Sequence, residues 1–163
     1  MISNPIFSVM IPTWNPNSDY LKQALDSVLI QDFGPDRMQI AVVDDCSNSF
    51  NTELWLKENG YYPRVEFYQN EINLGIGGGW NSCIDKSRGE YVHILHQDDM
   101  LEEGFYSENL QLLNQVNEPI GFLLNRNGYL NQAGIIKTYS RLIKTEVYTD
   151  REFYKILHDV DIQ

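Results

Sequence analysis

Ile40-Ala41-Val42-Val43-Asp44-Asp45-Cys46-Ser47 is a short apolar run that breaks into two acids and turn-forming residues. Four consecutive apolar residues, bounded this way, read as a strand buried on both faces, the habit of parallel sheets. The pattern recurs along the chain. Tyr91–Leu95 is an apolar run that enters His96-Gln97-Asp98-Asp99, and Phe7–Pro12 (FSVMIP) is one closed by proline. Val65–Tyr68 is the remaining candidate strand.

Helical periodicity fills the gaps between these runs. Asn15-Pro16-Asn17-Ser18 is turn chemistry, with Asn17 or Ser18 able to cap a helix whose stripe is Leu21, Leu25, Val28 and Leu29. A weaker helix spans Thr52–Asn59 and ends at Gly60, where a left-handed residue is expected. Asn73–Gly79 reads as a glycine-rich loop feeding a helix that places Trp80, Cys83, Ile84 and Ser87 on one face and is closed by Gly89. Phe105–Val116 is helical, with Leu110 and Leu113 facing in. Strand and helix thus alternate, which predicts an α/β protein with a mostly parallel sheet covered by helices on both faces. Right-handed crossovers bring every strand's C-terminal end to one edge. Beyond residue 120, Asn127-Gly128 and Asn131–Gly134 bracket hairpin-like pieces. Thr149-Asp150-Arg151-Glu152 is a capping box for a last helix with Phe153, Ile156, Leu157 and Val160 on one stripe.

At 163 residues the chain is long enough for one compact domain and too short for two of ordinary size. Hydrophobic residues make up 42% of it, enough for a packed core, and no run approaches the ~20 apolar residues of a membrane-spanning helix. No basic n-region precedes an apolar stretch at the N-terminus, so no signal peptide is expected. Cys46 and Cys83, far apart and outside any CxxC pair, read as reduced thiols. The net charge of −11 opposes unaided binding to nucleic acid or to an anionic membrane. An anionic ligand would need a divalent metal to reconcile it with this chain.

The acid pairs are the strongest chemical feature. Asp44/Asp45 and Asp98/Asp99 end two parallel strands, so all four lie on the edge where open α/β sheets bind ligands. Hard oxygen donors there suit Mg²⁺ or Mn²⁺, which take one or two carboxylates and fill the remaining positions with phosphate and water. Strand-ending aspartates also serve as turn formers and helix caps, and both roles stay open. Gly75-Ile76-Gly77-Gly78-Gly79-Trp80 is not a dinucleotide fingerprint, because Trp80 stands where glycine is required, and it lacks the GK[ST] of a P-loop. Its glycines permit close backbone approach or leave room for a bulky ligand. Trp14 is placed to stack on a base. His93 is a packing residue inside its strand, His96 sits beside the acids, and His158 faces solvent.

Four segments, in order, resemble the family 2 glycosyltransferases, inverting enzymes of the GT-A fold. Phe7–Asn15 is similar to the family's opening SVIIPTYN, and Val42–Ser47 to its VDDxS. Asn73-Leu74-Gly75 with Trp80-Asn81 resembles its NxG…N segment, and Gly89-Glu90-Tyr91 with Leu95–Asp99 its GEY…LDxDD. The resemblance implies a donor-binding core over residues 1–118 and the start of an acceptor-side region over 119–163 of a single GT-A domain. It implies that Thr13 and Trp14 line the nucleobase, with Pro12, Asn15 and Asp44 also among the nucleotide-sugar-binding residues. Asp45 would bond the imide of uracil or thymine, and Gly75 and Asn81 would border the donor pocket. His96 replaces the first acid of DxD near the ribose, where neutral histidine still bonds a hydroxyl, and Gln97 beside it is a further nucleotide-sugar-binding residue. Asp98 and Asp99 would hold Mn²⁺ or Mg²⁺.

In the family the general base lies in a downstream acidic motif. Asp159 and Asp161 fall too early for it, so the chain is expected to be a donor-binding portion, truncated at its C-terminus. The implied activity is transfer of a sugar, from a UDP-sugar, to a glycan or lipid-linked oligosaccharide in cell-surface polysaccharide synthesis. That activity places the protein in the cytoplasm, peripherally at the inner membrane face when the acceptor is lipid-linked. The sequence leaves a homo-oligomer open. A non-catalytic nucleotide-sugar binding module is the alternative. A receiver-like phosphoacceptor domain would need an acceptor Asp on the third strand, which ends instead in Gln69-Asn70.

Overall fold

The computed structural model describes residues 4–115, 128–130 and 136–138. The capping box at Thr149, the helix stripe that follows it, His158, Asp159 and Asp161 lie outside the described residues, as does Asn131–Gly134. The chain divides into two compact units, residues 1–117 and 118–163.

In the first unit, β1 (Phe7–Thr13), α1 (Ser18–Leu29), β2 (Met38–Asp44), α2 (Thr52–Glu58), β3 (Glu66–Gln69), α3 (Gly75–Lys86), β4 (Tyr91–Ile94) and α4 (Phe105–Leu113) alternate as expected. The strands form one parallel sheet in the order β3-β2-β1-β4. In the second unit β5 (Gly128–Leu130) pairs antiparallel with β6 (Ile136–Thr138), matching the expected hairpin-like pieces.

Side-chain alternation along β1 sorts the two faces of the sheet. Phe7, Val9 and Ile11 pack with Ile40 and Val42 against Leu21, Ala24, Leu25 and Val28 of α1, Leu56 of α2 and Tyr106 of α4. Each such side chain contributes roughly 2 kcal/mol by leaving water. Met10, Ala41 and Val43 face the other way, toward Cys83 of α3. Both faces are therefore covered, three helices on one and α3 on the other. Asn17 caps α1 by accepting from the Asp19 and Tyr20 amides, and Gly60 takes the left-handed conformation after α2 with φ of 77°. His93 packs as expected. Its ring stacks on Phe105 and its Nδ1 lies 2.9 Å from the Tyr106 hydroxyl, and burial pushes its pKa down to about 4.

Three expectations are corrected. Pro12 does not stop β1, which runs on to Thr13 with Pro12 beside Val43. Met10 turns its carbonyl toward β4 and Thr13 turns its own toward β2, so position 12 faces the β4 side, where the ladder has already ended at Met10 and Ile94. The missing N–H of proline therefore costs no ladder bond. Second, the glycines are not a loop before α3 but its opening turns, because the helix starts at Gly75. Third, Gly79, Ser82 and Cys83 form the buried stripe of α3, while Trp80 and Ile84 are exposed.

The N-terminal edge of the sheet is closed by polar bonds. Ser8 donates to Gln39, whose side-chain amide donates to Glu66 and to the Lys86 carbonyl. The Arg88 guanidinium, hydrogen-bonded to Glu66, outweighs burial and holds that carboxyl at about 2. Gly89 is required by contact: a Cβ there would lie 2.5 Å from the Ser8 nitrogen and 2.6 Å from the Phe7 carbonyl carbon.

Candidate active site at the C-terminal edge

β1 has β2 on one side and β4 on the other, reached in opposite directions along the sheet. The crevice beyond the ends of β1 and β4 is therefore the switch point where α/β sheets take ligands. Because the β1–β4 ladder stops at Met10, the chains diverge there, and the gap is bridged by one bond, from the Trp14 amide to Gln97 Oε1 at 2.9 Å. Trp14 itself is 52% exposed, so its ring is open to a ligand. Thr13, beneath it, is buried, and its hydroxyl has no hydrogen-bond partner among the described residues.

The first acid pair is consumed by the protein. Asp44 is wholly buried. Its carboxylate accepts from the Thr52 hydroxyl at the start of α2, the Ser47 amide at 2.7 Å and the Gln69 side chain at 3.3 Å. Asp45, 5% exposed, accepts from Asn70 at 2.8 Å, from the Leu74 amide at 3.0 Å and from the Gly75 amide at 2.9 Å. Leu74, the N-cap of α3, supplies no side-chain cap, so Asp45 caps this helix from a distant strand. Asn70 in turn accepts from Ser82 of α3. Asp45 thus does what a helix-capping acid does, whereas Asp44 braces its loop and α2 is capped by Asn51. The Leu74 amide is shared between the two oxygens, so the three donors make four contacts, two on each oxygen.

Asn15 ties the exits of β1 and β2. It takes φ of 45°, donates its amide to Ser47, and its side-chain oxygen accepts from the Asn48 and Ser49 amides. Cys46, in the facing loop, also has positive φ, 60°, and both cysteines are free thiols.

The second pair is left open. Asp98 and Asp99 are exposed on the loop between β4 and α4, and α4 is capped by Gly104 rather than by either acid. His96 lies between two partners: its ring stacks on Trp80 at 5.4 Å, and its Nδ1 is 3.5 Å from Asp99 Oδ2. The structure therefore joins Trp14 to Gln97, Asp45 to Gly75 and His96 to Asp99. Pro12 is half-buried at the end of β1, and Asn81 is exposed on α3 beside Trp80. Trp80 was missed as a site residue because helical spacing alone assigned it to the same face as Cys83.

Among the described residues, no three His, Cys, Asp or Glu side chains gather to hold a metal ion. Two exposed carboxylates on one loop fit the smaller demand of Mg²⁺ or Mn²⁺ shared with a diphosphate. No helix among the described residues is long and apolar enough to cross a membrane.

The sequence matches the model of glycosyl transferase family 2 over residues 8–161. The chain belongs to this family. An uncharacterised glycosyltransferase of Methanocaldococcus jannaschii is 30% identical over 161 residues, covering 94% of this chain and 51% of its own. The minor teichoic acid biosynthesis protein GgaB of Bacillus subtilis is 30% identical over 77% of this chain and 15% of its own. Among solved structures, Staphylococcus aureus TarS in complex with UDP-GlcNAc is 29% identical with a TM-score of 0.58, over 68% of this chain and 31% of that one. The parallel sheet is thus the GT-A fold of this family. The chain spans about half the length of the first of these relatives, and less of the others.

Proposed function

We propose that this chain binds the UDP-sugar donor of a metal-dependent, inverting glycosyltransferase. The exposed Asp98–Asp99 pair at the β1/β4 switch point, beside the open ring of Trp14, is the observation that carries this reading. TarS, a poly(ribitol-phosphate) β-N-acetylglucosaminyltransferase, was solved with UDP and with UDP-GlcNAc, and it supports UDP as the nucleotide here.

Each residue then has a part. Trp14 stacks on the base, an interaction worth roughly 1–3 kcal/mol. Asp45, fixed by three N–H donors, accepts a hydrogen bond from the uracil imide N–H on an oxygen that the shared Leu74 amide gives up. Asn15 and Ser47 hold the two loops around the base, with Asp44 as the buried post behind Ser47. Pro12 and Thr13 line the floor, and Gly75 and Asn81 border the pocket on the α3 side. His96, stacked on Trp80, accepts from or donates to a ribose hydroxyl, while Gln97 sets the Trp14 backbone. Asp98 and Asp99 hold Mn²⁺ or Mg²⁺. When bound, the ion supplies positive charge against the diphosphate as it leaves, and it offsets the −11 charge of the chain toward an anionic donor.

The acceptor in this reading is a glycan or lipid-linked oligosaccharide of a cell-surface polymer, met at the cytoplasmic face of the membrane. Residues 1–118 form the donor core and 119–163 begin the acceptor side. The test is Asp98→Ala. It should abolish the Mn²⁺-dependent part of UDP binding by calorimetry, and a variant that binds UDP with Mn²⁺ as the wild type does would refute the metal assignment.

A further inference from the structure

The loop bearing Asp98 and Asp99 is pinned at both ends by residues outside it. In front, Gln97 accepts from the Trp14 amide. Behind, the last turn of α1 and the turn that follows it make three bonds. Ser27 Oγ accepts from the Leu101 amide at 3.0 Å, Gln31 Nε2 donates to the Glu102 carbonyl at 3.0 Å, and Gln31 Oε1 accepts from the Tyr106 amide at 3.4 Å. The same Nε2 donates to the Ser27 carbonyl at 2.8 Å, which fastens Gln31 to its own helix. That helix is anchored in the core by Leu21, Ala24, Leu25 and Val28, all fully buried. The five residues from Gln97 to Leu101 are therefore held between two fixed points, with both carboxylates inside the span. An apolar side chain of the same length at position 31 would fill the space and make none of these bonds.

We infer that Ser27 and Gln31 are positioning residues that hold the Asp98–Asp99 loop in the geometry required by a divalent cation and a diphosphate. This rests on the donor-site reading above. Groups that orient metal-binding carboxylates from behind typically change metal affinity 10–100-fold when removed.

The test compares two ligands on the 163-residue chain. UDP with Mn²⁺ engages the acid loop, whereas uridine, which has no diphosphate, engages only the Trp14 side. Gln31→Met and Ser27→Ala should each weaken UDP–Mn²⁺ binding on the order of tenfold and leave uridine binding, followed by NMR titration, unchanged. Gln31→Glu keeps the acceptor toward Tyr106 and removes both donations of Nε2, to Glu102 and to the Ser27 carbonyl. It should show the same selective loss, and it carries the test if Gln31→Met does not fold. Unchanged UDP affinity in the folded variants, or equal losses for UDP and uridine, would overturn the positioning role while leaving the donor site standing. A wild-type chain that binds neither ligand would overturn both.

Discussion

Asp44–Asp45 and Asp98–Asp99 are the same dipeptide at the same kind of place, the end of a parallel strand, and the fold uses them in opposite ways. The first pair is buried and spends its oxygens on Thr52, Ser47, Gln69, Asn70, Leu74 and Gly75. The second is exposed, and the helix that follows it is capped by Gly104. The difference comes from what surrounds each strand end. β2 is flanked by β1 and β3, so its exit is enclosed by neighbouring loops and by the start of α3. Among the described residues β4 pairs with β1 alone, and that ladder stops short. Acids at an enclosed exit are taken up by the scaffold first, so that in the proposed site Asp45 meets the base from a fixed position, whereas those at an open exit are left free for a ligand.

The contrast predicts a graded series of effects on stability. Asp44→Ala strands three donors in the interior and should destabilise the chain by about 3 kcal/mol in urea unfolding. A loss below 1 kcal/mol would mean that the buried bonds are not what holds the β2 exit. Asp45→Ala removes a helix cap, with an expected cost of about 2 kcal/mol, and Asp45→Asn should recover part of it. Thr13→Val has the opposite sign. It removes a buried hydroxyl that has no partner among the described residues and should stabilise by about 1 kcal/mol while weakening UDP binding. Unchanged UDP affinity would take Thr13 out of the site. Asp98→Ala should move stability by no more than about 0.5 kcal/mol, as expected of an exposed loop residue. A large loss of stability there would erase the distinction between the pairs.

Much of this was legible in sequence, for identifiable reasons. Alternating apolar runs and helical stripes are local signals, and they located four strands and four helices to within a few residues. Strand-ending acids follow from the same signals, so the shared edge was readable too. What was not readable depended on partners distant in the chain. The tolerance of β1 for Pro12 depends on where β4 ends. The start of α3 at Gly75 has a local cap in Asn73, but the Leu74 amide and the second acceptor of Gly75 are supplied by Asp45, thirty residues upstream. The exposure of Trp80 depends on which side of α3 meets the sheet, and there Gly79 and Cys83 take the inner positions. The clamp from Ser27 and Gln31 carries no local signal, because both sit in an ordinary amphipathic helix and its following turn.

The most direct test of the account is calorimetric titration of the wild-type chain with UDP, in the presence and absence of Mn²⁺. The account predicts binding that strengthens markedly with Mn²⁺, since the open acid pair can meet a diphosphate only through a cation. Binding of equal strength with and without Mn²⁺ would contradict that role for Asp98 and Asp99, and a folded chain that binds UDP in neither condition would contradict the donor site itself.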